Sequence, residues 1–387
     1  MSVKDIMLSA VRTQVCGGER VEYAGISDEE LKRLYEVAKA QDLAHLVAAE
    51  LDRQGLLRSG DEVSEKFRKQ QILAVFRYER INYELEEICS LFEELEIPHI
   101  PLKGSALRTY YPEPWMRTSA DIDILITKDN VDKAKSALVD RYGYTQGHSG
   151  TGYDLSFFAP SGVHLELHFN PLNDDQAANS SAVLKDIWVH ATPKDGWAYR
   201  MVLDDAMFYL YHMAHMAKHF EESGCGARFF LDTWILCHGV EYDREERKML
   251  LQAGGLWQFA LAAERLSEVW FANAEHDEMS RNMEKYIFSG GIYGTLQHRI
   301  VTNRIRKGGK LSYTVSRIFP SYDLLKRYYP YLEGRKWLLP FYEVRRWLRI
   351  IFKGKLKRSV DELKFNANID DEQKQDVEQM LKQLELV

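Results

Sequence analysis

Asp121 and Asp123 stand one residue apart in the segment DIDILI, and Glu166 stands between two leucines in HLELH. On an extended strand, positions i and i+2 project from the same face, so the two aspartates would lie side by side. Such a pair is costly unless a cation neutralises it. Mg²⁺ takes oxygen ligands and is commonly held by one or two carboxylates together with substrate phosphates. Glu166, on a neighbouring strand about 5 Å away, would add a third carboxylate. Three carboxylates suit two metal ions, one activating an attacking hydroxyl, the other steadying a triphosphate and its leaving group.

Lys103-Gly104-Ser105 offers the complementary half of such a site. A glycine at a turn lets backbone N–H groups approach phosphate oxygens, and the start of a following helix adds donors and a favourable dipole. Ser105 contributes a hydroxyl, as does Ser119 just before the aspartates. Lys103 and Arg117 are candidate phosphate cations, Arg117 with the geometry for bidentate contact. An isolated Asp-x-Asp is a weak signal, because solvated strand faces carry it too. The ordered set is stronger: a glycine turn, a helix, Arg-Thr-Ser, Asp-Ile-Asp, then a leucine-flanked glutamate.

The elements that must position these residues follow from periodicity. Residues 28–57 carry apolar side chains near a 3.6 period and read as helical; residues 64–96 read as one long helix with a Glu-rich outer face. IPHIPLKG is a short extended segment ending in a turn, and SALRTYY starts a helix with Ser105 available as its N-cap. DIDILI alternates as a strand with one polar face. Residues 129–142 are helical with Gly143 as C-cap, and YDLSFFAPSGVHLELHF forms two strands around a Pro-Ser-Gly turn. This is a small α/β unit over about residues 96–170. Beyond residue 184 the chain reads as mostly helical, with helices at LDDAMFYLYHMAHMAKHF and ARFFLDTWILCHG and over 243–254, 256–272 and 278–302. Four regions are expected: 1–95 helical, 96–200 the α/β core, 201–302 helical, and 303–387 basic, aromatic-rich and helical.

With 387 residues, 45% of them hydrophobic, the chain can bury several cores. Its four cysteines form no CxxC pair, which suits free thiols and a cytoplasmic setting. The N-terminus lacks the features of a signal peptide, and no apolar run approaches the ~18 residues a membrane span needs. A net charge of −7 argues against a globally basic nucleic-acid binder. The charge is uneven, however: Arg299 to Arg358 holds 17 basic against 3 acidic residues.

LKGSALRTYY, RTSADIDILI and the later Glu166 resemble the nucleotidyltransferase superfamily that includes DNA polymerase beta. More narrowly, these segments with Glu166-Leu167-His168, HMAHMAKH, ARFFLDTWIL, RYYPYL and LPFYEVRRWLR resemble a bacterial uncharacterised nucleotidyltransferase family, nucleotidyltransferase family 5. The resemblance covers most of residues 30–352. It implies an α+β fold with a mixed-sheet core and large helical N- and C-terminal regions. It also implies metal-dependent transfer of an NMP from an NTP, with ATP as the expected nucleotide, to a hydroxyl acceptor with release of pyrophosphate. Carried over by position, Asp121, Asp123 and Glu166 bind two Mg²⁺ or Mn²⁺ ions with the NTP, and Gly104 and Ser105 hold its triphosphate. Two departures leave these groups in place: Ser105 stands where a second glycine is common, and 15 residues separate Ser105 from Asp121. The same arrangement resembles toxin-type nucleotidyltransferases of abortive-infection systems, which implies tRNA or protein as alternative acceptors. A non-catalytic nucleotide-binding module is a further alternative. The acceptor (small molecule, RNA or protein) is left open.

Three further features carry more than one reading. His212, His215 and His219 share one helix face, either packed at the edge of a cleft or placed near substrate. His215 and His219 have zinc-pair spacing, but Met216 stands where a zinc protease needs glutamate. Together with His168 they are candidates to support the metal-binding carboxylates from behind or to contact substrate. Arg228 and Asp232, at i and i+4, read as an ion pair that could orient these histidines. The aromatics interleaved with the basic C-terminal region suit a packed helical lid, a single-stranded nucleic-acid surface or an anionic membrane surface.

Overall fold

The segment DIDILI forms the strand that its alternation predicts. In the computed structural model, which describes residues 1–23, 25–147, 153–172, 179–222, 224–288, 310–322, 325–326, 329–352 and 371–386, it is β2 (Asp121–Ile126) in a five-stranded mixed sheet. The order is β1 (His99–Leu102), β2, β5 (His164–His168), β4 (Asp154–Phe158) and β3 (Thr145–Gln146). β1 runs antiparallel to β2, β2 runs parallel to β5, and β4 pairs antiparallel with both β5 and β3. The expected Pro-Ser-Gly turn joins β4 to β5, with Gly162 at φ +84°, where a side chain would be strained.

Alternation divides the sheet between two cores. Ile122, Ile124, Ile126, Leu165 and Leu167 pack with Ile81, Leu85, Ile88 and Phe92 of α4 (Glu62–Glu94) and with Ala134 and Leu138 of α6 (Val131–Tyr142). Ile100, Leu102 and Leu125 belong to a second core that runs on into the helices. The polar face of β2 and β5 is on the side of this second core, the face that Asp121 and Asp123 share with Leu125. Asp61 caps α4, its side chain accepting the Ser64 N–H at 2.8 Å. Gly143, at φ +68°, ends α6 as expected.

The remaining helices are α1 (Val3–Val15), α2 (Asp28–Ala40), α3 (Ala44–Arg53), α5 (Lys103–Leu107), α7 (Ser180–Val183), α8 (Asp205–Glu222), α9 (Ala227–His238), α10 (Arg244–Ala253), α11 (Trp257–Phe271), α12 (Glu278–Phe288), α13 (Lys310–Ile318), α14 (Leu339–Phe352) and α15 (Asp371–Gln383). The molecule is thus α+β, as the sequence implies. All four cysteines are unpaired. Among the described residues no helix is long and apolar enough to cross a membrane.

Several expectations are corrected. The helical stretch 28–57 breaks at Asp42, which adopts φ +55° between α2 and α3. The helix after β1 starts at Lys103 with Leu102 at its N-cap, so Ser105 lies inside it and caps nothing. That helix is a single short turn followed by 3₁₀ turns, because Pro112 and Pro114 cannot continue it. A two-stranded hairpin, β6 (Ala191–Pro193) and β7 (Met201–Leu203), interrupts the region read as helical. The helix expected over 278–302 is described only to Phe288; residues 289–309, with Arg299, Arg304, Arg306 and Lys307 of the basic region, lie outside the described residues, as do 353–370.

Ile124 is fully buried beneath the carboxylate face. Ile124→Ala is expected to cost about 2–5 kcal/mol, read as a lower urea midpoint for the loss of tertiary signal.

Candidate active site

β2 and β5 pair so that Asp123 lies directly opposite Glu166. Asp121, two residues earlier, shares their face, as do His164 and His168 of β5. Two groups of oxygen and nitrogen donors result: Asp121, His164 and Glu166, and Asp123, Glu166 and His168. Within each group the donor atoms lie within 4.8 Å of one another, and Glu166 is common to both. His164 was missed from the sequence, although strict alternation in HLELH puts it on the glutamate's face.

Leu102 pairs with Asp123 across β1 and β2, which brings the next residue, Lys103, over the carboxylates. Its backbone adopts φ +48°, and its Nζ lies 2.5 Å from Asp123 Oδ1 and 3.7 Å from Glu166 Oε2. His168 Nε2 lies 2.8 Å from the same Asp123 oxygen and 3.5 Å from Glu166. Burial would raise the Asp123 pKa, but the charge of Lys103 and the bond to His168 reverse this and hold it well below the usual range. The His168 bond lowers Glu166 against its partial burial. Burial opposes charge on His168 too, yet its bonds to Asp123 and Glu166 raise its pKa. Asp121 makes no such hydrogen bond among the described residues. Burial and the neighbouring Asp123 push it up to about 6, and the charges of Lys103 and His164 lower it only in part. The carboxylates therefore retain negative charge that Lys103 does not balance, and a divalent cation with a preference for oxygen fits this set. His168 Nδ1 is buried with no hydrogen-bond partner among the described residues.

Gly104 lines the cavity beside this cluster. A Cβ there would stand 2.8 Å from Ser119 Cβ, so only glycine permits the contact. Ser119 also lines the cavity, whereas Ser105 does not; Ser105 is buried and its Oγ has no partner among the described residues. Arg108, not foreseen from the sequence, holds the arrangement from within the protein. It donates to Gly104 O at 2.9 Å and to Ser119 Oγ at 2.7 Å. Burial lowers its pKa to about 10.

Arg117 is buried, yet it is among the residues that line the cavity. Its Nε donates to Asp232 Oδ1 at 2.6 Å, and Tyr111 OH donates to the same oxygen at 2.7 Å. The expected Arg228–Asp232 pair is not formed. Arg228 pairs with Asp42, which also accepts the Thr118 hydroxyl at 2.7 Å. Asp232, one turn away, belongs to the core's Arg117.

The cavity holds about 340 Å³. Opposite the carboxylates, α8 contributes Tyr211, His212, His215, Lys218 and His219, and α9 contributes Arg228 and Asp232. His215 and His219 meet Nε2 to Nε2 at 3.2 Å, and His212 bonds Thr233 Oγ1 at 3.1 Å. Burial, then neighbouring positive charge from Lys218 and Lys103, lowers His219 to about 3; burial lowers His212 to about 4. Both are neutral near pH 7. Lys218 bonds the Tyr153 phenol at 3.1 Å.

Residues 27–272 match the model of a family described as uncharacterised nucleotidyltransferase. The match spans more than half of the chain, which therefore belongs to that family. No curated protein and no solved structure matches the chain.

Two outcomes follow from this geometry. Gly104→Ala forces Ser119 aside; the expected cost is about 1–3 kcal/mol in stability and about 10²-fold in nucleotidyl transfer, measured by thermal melting and by turnover. The second concerns pH. Folded His212, at about 4, titrates below the unfolded value of about 6.5. Stability is therefore unaffected above ~6.5 and declines as pH falls from there toward 4. His212→Gln should flatten the melting temperature against pH in that window, removing roughly 2 kcal/mol of the loss at pH ~5. Coincident slopes for the two proteins would show that His212 is already charged in the fold.

Proposed function

We propose that this member of the uncharacterised nucleotidyltransferase family transfers an NMP from an NTP, with ATP the favoured donor, to a hydroxyl and releases pyrophosphate. The observation that carries the proposal is the register of β2 and β5. It puts Asp121, Asp123 and Glu166 on one face of one cavity, beside a glycine that lets a ligand approach the backbone.

Asp121, Asp123 and Glu166 would hold two Mg²⁺ or Mn²⁺ ions, with His164 and His168 at the margins. Bound divalent ions polarise phosphate oxygens and favour deprotonation of an attacking hydroxyl. The chain's own residues do the rest by positioning. Gly104 keeps the backbone open to the triphosphate, and Ser119 offers it a hydroxyl. Arg108 fixes both residues and adds positive charge behind them. Lys103, now against Asp123, is long enough to serve either the carboxylates or a phosphate. Arg117 would act through its bond to Asp232, holding the loop before β2, rather than as a phosphate clamp.

The acceptor would meet the α8 and α9 wall. Neutral His215 and His219 can donate and accept hydrogen bonds to a hydroxyl, while Lys218 and Arg228 supply positive charge. The wall suits a polar or anionic acceptor.

The test is incubation with each α-labelled NTP, Mg²⁺ or Mn²⁺ and cell extract, followed by separation of small molecules, RNA and protein. Asp121→Asn with Asp123→Asn is expected to abolish label transfer in a protein that still unfolds cooperatively, though at a lower temperature because Lys103 and His168 lose their carboxylate. Transfer unaffected by the double variant would end the proposal. The labelled fraction identifies the acceptor class, including the tRNA or protein of a toxin-like enzyme. Mg²⁺-dependent ATP binding with no transfer would mark a binding module.

A further inference from the structure

Helix α14 turns an apolar stripe toward water. Its inner side carries Glu343 and Arg346, paired at 3.1 Å, and Arg346 Nη2 donates at 2.5 Å to the Ile318 carbonyl at the end of α13. Tyr342 and Trp347 are half-buried beside them, with the Tyr342 ring 4.9 Å from that of Tyr329. The outer side carries Phe341, Val344 and Leu348, which are 64%, 60% and 48% exposed. Their spacing, i, i+3 and i+7, makes one continuous stripe. Trp337, just ahead of the helix, is 77% exposed. A surface helix ordinarily turns its apolar stripe to the core and its charges outward. Here the ion pair is the inner contact and the apolar residues face solvent, a sign of an interaction surface.

Cations border the stripe. Arg345 and Arg349 are exposed on its flank, and exposed Arg335 and Lys336 precede Trp337. Glu343, the only acidic residue of α14, faces inward. Three kinds of partner fit an apolar stripe beside cations, and these side chains separate them. Single-stranded nucleic acid binds by stacking bases on planar rings, but Val344 and Leu348 have no ring. A second copy docked stripe to stripe about a twofold axis would bring its own Arg345 and Arg349 up to these, with no outward carboxylate on the helix to neutralise them. An anionic lipid surface uses every group. Aliphatic and aromatic side chains enter the acyl boundary, tryptophan sits at the headgroup level, and guanidinium groups meet lipid phosphates.

We propose that α14, with Trp337 ahead of it, is an interfacial helix that docks the chain on an anionic bilayer. The attachment is peripheral, because 14 residues span about 21 Å, short of the ~30 Å hydrocarbon core. It does not rest on the transferase reading, since none of these residues lines the cavity.

The test is cosedimentation of the full chain with vesicles of phosphatidylcholine, with and without phosphatidylglycerol, at physiological salt. Wild type should pellet with the anionic vesicles alone. Phe341→Ser with Leu348→Ser, and separately Arg345→Glu with Arg349→Glu, should each weaken that partitioning by about tenfold or more. Thermal melting and turnover of both variants should match wild type. The proposal is overturned by absence of vesicle binding, by equal binding of wild type and variants, or by equal binding to neutral vesicles. It is also overturned if the apolar pair instead disrupts a dimer or a complex with single-stranded DNA in a chain that ignores lipid.

Discussion

Carboxylates on adjacent strands repel, and the site is organised by how that repulsion is balanced. Pairing β2 with β5 fixes Asp123 opposite Glu166, a separation at which like charges destabilise a sheet. Lys103 and His168 both converge on one oxygen of Asp123 to offset this. Lys103 reaches it from a left-handed backbone conformation, φ +48°, which costs a non-glycine residue of order 1 kcal/mol or more. The ammonium at Asp123 works against that cost. Asp121 is raised first by its burial and then by the neighbouring Asp123, and the charge of Lys103 offsets this only in part.

A cluster so balanced is useful only if its surroundings do not relax. The loop between α5 and β2 is gripped from three directions. His45 of α3 lies 2.8 Å from the Met116 carbonyl, Asp42 takes the Thr118 hydroxyl, and Asp232 of α9 takes Arg117. Arg117 and Asp232 are both buried, so the pair's net stabilisation is small while the loss of either partner alone would leave a stranded charge. The pair contributes specificity of position: it ties the sheet's loop to the helix that forms the opposite wall of the cavity. Arg228 does the same with Asp42 from one turn earlier on α9.

What was legible in the sequence is what repeats locally. The alternation of DIDILI and HLELH, the 3.6 periodicity of α4 and the Pro-Ser-Gly turn each act over a few residues, and each formed the expected element. Pairings between distant segments left no such trace. Asp42 and Arg228 are separated by 186 positions, and the nearer Asp232 looked like the natural partner of Arg228 by helical spacing alone. Nothing local marks Arg108, which only folding places behind Gly104 and Ser119. The two serines could not be ranked either, because which one faces the cavity depends on where α5 begins, and a strained lysine rather than a serine cap sets that point.

The cavity has two chemically opposed walls. One concentrates oxygen donors and negative charge; the other concentrates imidazoles kept neutral by burial and by nearby cations. A cation is favoured at the first wall and disfavoured at the second, where Lys218 and Arg228 supply positive charge and Lys103 adds to it from the carboxylate side. The Nε2 atoms of His215 and His219 converge at 3.2 Å, but among the described residues no third donor joins them in a metal-binding group. An anion brought between the walls reverses the balance at both, stabilising cations at the carboxylates and easing protonation of the histidines. A phosphate-bearing ligand is the chemistry that satisfies both walls together, and this binds the proposed donor and acceptor subsites into one electrostatic unit.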